Sequence, residues 1–222
     1  MRGDVEEKIE KVVKNIVDEA NQKEPRSALR TGKNEIIRRL VHMSIPLTLV
    51  YYAIPPEMWG YMGRETGLLI VFIFVILFEA ARIKKKITIP GFRPYEARRL
   101  SAAAWAGIAL FISFNLFPME LVVPSVIAMG FIDPLNGEMR RSKYYPWVPG
   151  AASIGIYLVS LYFLASYNPF VLLFLSAAGG TVAMASEIPH LWIDDDFMMI
   201  VTPPAVLSVL IWIMTALGIP LS

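Results

Sequence analysis

The chain has 222 residues, 55% of them apolar, and a mean hydropathy of +0.51. That is the composition of a membrane protein rather than of a soluble domain. A formal net charge of +2 is too small to suggest a nucleic-acid partner, and with no cysteine there are neither disulfides nor thiolate metal sites. The two histidines, His42 and His190, show no paired spacing of the kind a zinc site uses.

The first 39 residues are charged and carry no apolar h-region, so no cleavable signal peptide is expected. Val5, Ile9, Val12, Val13, Ile16, Val17 and Ala20 recur at helical spacing. Residues 1–33 are therefore predicted to hold an amphipathic cytoplasmic helix and a linker. Its charges are mainly acidic, which argues against lipid binding and for packing on the protein itself or on a second copy, a homodimer.

Residues 34–222 are expected to form the membrane domain. Seven apolar stretches are long enough, or nearly so, to cross a bilayer: about 40–61, 66–83, 100–117, 119–132, 147–166, 169–185 and 197–219. Pro55-Pro56 and Pro203-Pro204 are expected to interrupt the first and last of them. The small-residue run Ser176–Ser186 reads as a close helix crossing. Lys and Arg gather before the first span and in the 82–99 and 133–146 connections, while the alternate connections carry almost none. The positive-inside rule then places the N-terminus in the cytoplasm. The expected fold is an all-α polytopic transmembrane helix bundle of about seven spans, or six if a short span is re-entrant.

The polar residues collect at the predicted cytoplasmic ends. Arg38, Arg39 and His42 open the first span, and Glu79 and Arg82, spaced i,i+3, close the second. Arg93, Glu96, Arg98 and Arg99 precede the third. "DPLNGE" (Asp133 to Glu138), read as a tight turn, and Arg140, Arg141 and Lys143 follow the fourth. "ASEIPHLWIDDDF" (Ala185 to Phe197) joins the last two spans and places three consecutive aspartates among basic loops. Adjacent carboxylates repel unless a cation lies between them, and magnesium is commonly held by one or two carboxylates together with substrate phosphates. Arginines around such an acidic cluster suit phosphate oxygens. Neither a Walker-type loop nor a kinase glycine loop is present.

"EIIRRLVH" (Glu35 to His42), "FEAARIKKKITIPGFRPYEARRLSAAAW" (Phe78 to Trp105) and "EIPHLWIDDDFMMIVTPP" (Glu187 to Pro204) occur in that order. Together they resemble the CTP-dependent polyprenol (dolichol) kinase family, related to phytol kinase and CTP-type diacylglycerol kinase. The chain departs from the family pattern in two places: "GFIDPLNGEMRR" stands where a glycine-rich loop is usual, and Asp196 where asparagine is usual.

The resemblance implies transfer of the γ-phosphate of CTP to the hydroxyl of a polyprenol- or dolichol-type isoprenoid lipid at the cytoplasmic face, with Mg²⁺. The metal would fall to Asp133, Asp194 and Asp195, with Glu187 as a further candidate. Nucleotide contacts would fall to Arg38, Arg39, Arg93, Glu96, Asn136, Glu138, Arg140 and Arg141. His42 or a carboxylate, Asp133 or Asp195, would accept the lipid hydroxyl proton. The location would be the cell membrane in a prokaryote or the endoplasmic reticulum membrane in a eukaryote. Two other classes stay open: a CTP-dependent lipid cytidylyltransferase, which would release pyrophosphate, and a non-enzymatic transporter or scaffold, which would carry ionisable groups nearer the bilayer midplane.

Overall fold

The structure, a computed structural model, describes residues 32–57, 63–87, 89, 96, 99–187 and 193–222, with the side chains of 32–36 left aside. The expected N-terminal amphipathic helix and the Arg93 site lie outside the described residues, as does most of the 186–192 connection.

Every regular element among the described residues is helical. In chain order they are α1 (Gly32–Ser44), a 3₁₀ segment (Ile45–Ala53), α2 (Arg64–Lys85), α3 (Ala102–Leu116), α4 (Met119–Met139), α5 (Trp147–Leu164), α6 (Pro169–Ala185) and α7 (Asp195–Ala216). Four of them, α2, α4, α5 and α7, are long and apolar enough to cross a membrane, and α3 and α6 are shorter apolar helices. Large apolar side chains point outward along α2 (Leu69, Ile70, Phe74, Leu77), α5 (Tyr162, Phe163) and α7 (Val209, Trp212). A soluble protein would bury most of that surface; hydrocarbon solvates it at no cost.

The central element is α4, which packs against α1, the 3₁₀ segment, α5 and α7. Its buried residues, among them Leu121, Val122, Val126, Met129 and Ile132, form the middle of the core. The small-residue run lies on α6 where it crosses α5. A Cβ added at Gly180 would come within 2.6 Å of the backbone of Ile154, and one at Gly179 within 2.5 Å of the Tyr157 ring. Ser153 Oγ donates to the Gly180 carbonyl at 2.9 Å, so a short side chain on α5 reaches the backbone of α6.

Three expectations need correction. The stretch 40–61 is not one α-helix: α1 gives way at Ser44 to the 3₁₀ segment, which starts beside Pro46 and ends in a bend at Pro55-Pro56. At about 2.0 Å per residue the 3₁₀ geometry reaches farther than an α-helix of equal length. Tyr51 accordingly stacks on Phe114 in the last turn of α3, with ring centroids 4.6 Å apart. The sequence 133–138 is not a turn: α4 runs on through Pro134 to Met139, two turns past the expected end. Lastly, Pro203-Pro204 does not interrupt α7. Pro204 has no N–H for the Ile200 carbonyl, and Ser113 Oγ from α3 donates to that carbonyl instead, at 3.4 Å.

Candidate active site

Continuing α4 as a helix decides the geometry of the site, because Asp133, Asn136 and Arg140 then stand at i, i+3 and i+7 on one face. That face meets α1, the start of α7 and the turn after α6 at one end of the bundle. His42, 4% exposed, lies between two carboxylates from different helices. Its Nε2 is 3.7 Å from Asp133 Oδ2, and its Nδ1 is 3.7 Å from Asp196 Oδ1. Arg38 Nε donates to His42 Nε2 at 3.3 Å across one turn of α1. A ring nitrogen that accepts from a guanidinium carries a lone pair, so the proton belongs on Nδ1, facing Asp196. One potential ligand atom from each of His42, Asp133 and Asp196 falls within 4.8 Å of the others. That donor set, two carboxylates with an imidazole, suits a divalent cation.

A second group adjoins the first. Asn136 Nδ2 and Arg140 Nη2 both donate to the buried Glu187 carboxylate, Asn136 from within the core and Arg140 from its edge. The amide oxygen of Asn136 is buried and accepts no hydrogen bond among the described residues. Burial raises the Glu187 carboxyl above the usual carboxylate range, Arg140 opposes that, and the charges of Asp133 and Asp195 reinforce it. At the rim, Arg39 pairs with Glu138 at 2.7 Å, and Arg141 is exposed.

The three consecutive aspartates separate in role. Asp194 caps α7, its Oδ1 accepting from the Asp196 backbone N–H at 3.2 Å, and Asp195 is half-buried. Asp196, 2% exposed, is the one that reaches His42. It is absent from the residues expected from sequence, though a signal for it existed. Asp196, Met199, Ile200, Pro203 and Leu207 are all buried and follow helical spacing, so the inward stripe of α7 begins at Asp196.

Glu79, Arg82 and Glu96 form a separate buried cluster where α2 meets the start of α3. Arg82 donates from Nε and Nη2 to the two Glu79 oxygens at 2.8 and 2.7 Å, and also from Nη2 to the Arg99 carbonyl at 2.7 Å. Glu79 Oε1 in turn accepts from the Ser101 N–H at 2.6 Å. The last two of these contacts fasten the backbone at residues 99 and 101 to the end of α2. Glu96, expected at the nucleotide, is buried beside this joint, close enough to Arg82 for their charges to interact.

Thus the structure brings together His42, Asp133, Asn136, Arg140, Glu187, Arg38 and Asp196, with Arg39, Glu138, Asp194 and Asp195 around them. No known protein family, curated protein or solved structure matches the chain.

Proposed function

We propose that this chain is a membrane-embedded lipid-alcohol kinase that moves the γ-phosphate of CTP to the hydroxyl of a polyprenol- or dolichol-type lipid. The observation that carries the reading is a buried histidine held between Asp133 and Asp196 at one end of an apolar helix bundle, with Arg38 bonded to it, Arg140 close to Asp133 and Arg39 at the rim. With the basic connections on the cytoplasmic side, that end faces the cytoplasm, and seven elements cross the bilayer, the 40–53 stretch among them.

In the transfer, the lipid oxygen forms a bond to the γ-phosphorus as the bond from that phosphorus to the β–γ bridging oxygen breaks, and CDP leaves. The hydroxyl proton passes to Nε2 of His42 as Arg38 turns from that nitrogen to the phosphate, and the nearby Asp196 steadies the imidazolium that forms. Arg38, Arg39 and Arg140 carry guanidinium groups toward the phosphates, and their partners Glu138 and Glu187 fix two of them in place. The carboxylates of Asp133 and Asp196, with Asp194 and Asp195 alongside, fit a magnesium ion, which when bound would neutralise charge on the transferred phosphate.

The test is a product assay on purified protein in detergent with γ-labelled CTP, magnesium and a short polyprenol. Label should appear in a lipid monophosphate, and His42→Ala and Asp196→Asn should each lower turnover by about 10²-fold or more. Pyrophosphate release from CTP and a lipid phosphate, without label in a lipid alcohol, would replace the kinase reading with a cytidylyltransferase.

A further inference from the structure

At the opposite end from His42, a cavity of about 450 Å³ opens between the 3₁₀ segment, α2 and α3. Its walls are mainly apolar side chains and glycine, including Val50, Leu68, Val71, Phe72 and Phe111, with Thr48 as a polar exception. Here α2 reaches the bundle through α3, where Phe72 stacks on Phe111 at 4.1 Å, and the crevice keeps α2 apart from the 3₁₀ segment. The volume lies in the range of about 300–1,000 Å³ that holds small ligands. Walls of this kind do not hold ordered water, which needs several polar partners.

One charged side chain lines the cavity, Arg64, the first residue of α2. Its guanidinium stands 5.3 Å from the Tyr51 ring centroid, and its Nε is buried with no hydrogen-bond acceptor among the described residues. The adjacent N-cap, Gly63, has no side chain to cap the first N–H groups of α2. A buried guanidinium donor lacking an acceptor is costly, and an anionic oxygen is the group that best removes the cost. A mainly hydrocarbon-lined crevice ending in one guanidinium, whose Nε has no acceptor among the described residues, has the polarity pattern of a charged amphiphile. We infer that this crevice binds an anionic phospholipid, with one hydrocarbon chain along α2 and α3 and the phosphate at Arg64. The site is separate from the His42 cluster, and it stands whether or not the chain is a kinase.

The test uses the delipidated full-length protein in detergent, titrated with dioleoyl phosphatidylglycerol or dioleoyl phosphatidylcholine and read by native mass spectrometry. The wild-type protein should bind phosphatidylglycerol at least ten-fold more tightly. Arg64→Gln, which removes only charge and donors, should abolish that preference while leaving weaker binding of both lipids. Gly67→Leu should lose both lipids, because a Cβ at Gly67 meets nothing within 4 Å and the added side chain would fill the crevice. Equal affinities for the two lipids, or a preference that survives Arg64→Gln, would overturn the inference. So would inorganic phosphate displacing phosphatidylglycerol at millimolar concentration, which would reduce the site to a simple anion site.

Discussion

Identical carboxylates follow one another at Asp194, Asp195 and Asp196, and the first turn of α7 sends them to different neighbours. Asp194 accepts from a backbone N–H at the helix start, so Asp194→Ala removes a cap and should cost about 1 kcal/mol of stability, read as a lower Tm in detergent. At saturating magnesium its effect on turnover should be small beside that of Asp196→Asn, which alters the partner of His42 in a 2% exposed position. Equal losses of activity in the two variants would count against the His42–Asp196 pair as the working unit. The Glu79–Arg82 pair was legible from its i,i+3 spacing alone, and the structure adds why it persists: both groups also hold the backbone at residues 99 and 101. Arg82→Met leaves the Glu79 carboxylate buried without its cation and should lower stability by about 3 kcal/mol or more. Pairing it with Glu79→Leu should recover a substantial part, measured by thermal unfolding of both variants; no recovery would show that the backbone contacts, not the charge, dominate. Asp196 was harder to find because a row of three aspartates looks equivalent until the helical stripe beginning at Met199 is extended one turn backward.

Proline and glycine patterns in the sequence located the elements but misjudged their ends. The run at Ser176 was legible as a close crossing because small residues in lipid have few other uses. Pro134 and Pro203-Pro204 read as breaks because proline removes a helical hydrogen bond, yet both helices run on through them, and at Pro204 the compensation comes from a neighbouring helix that sequence order does not reveal. At Pro204 the compensation is Ser113, 91 positions earlier in the chain, donating to the Ile200 carbonyl. Ser113→Ala should therefore lower stability by about 1 kcal/mol, since it leaves a buried carbonyl without a donor. In a Pro204→Ala background, the alanine N–H can bond to the same carbonyl, and the cost of losing Ser113 should largely vanish. A double-mutant cycle in thermal unfolding measures this directly, and additive effects would mean that Ser113 does not serve the carbonyl. The same misjudged end concealed the site. Once 133–139 is helical, Asp133, Asn136 and Arg140 share a face, whereas a turn would scatter them.

At the scale of the whole molecule, the ends of the bundle differ in kind. One end gathers His42, Asp133, Asp196, Glu187, Arg38 and Arg140, and the other carries fewer charges, Arg64 among them, with Asn168 donating from its backbone to Leu221 at 2.8 Å and from its side chain to Pro220 at 2.6 Å. On the proposed reading the first end faces the cytoplasm, because translocating a Lys/Arg-rich loop is disfavoured while a neutral one crosses freely. The chain contains no cysteine, so a single introduced thiol reports its own side of the membrane with no background. Lys143→Cys, exposed after α4, and Ser166→Cys, exposed between α5 and α6, lie at opposite ends. In intact cells a membrane-impermeant maleimide should label Ser166→Cys and spare Lys143→Cys, and permeabilisation should make both reactive. The reverse pattern would place the His42 cluster outside, away from cytoplasmic nucleotides, and the kinase reading would fall with it. Labelling of both in intact cells would mean that α5 does not cross the bilayer.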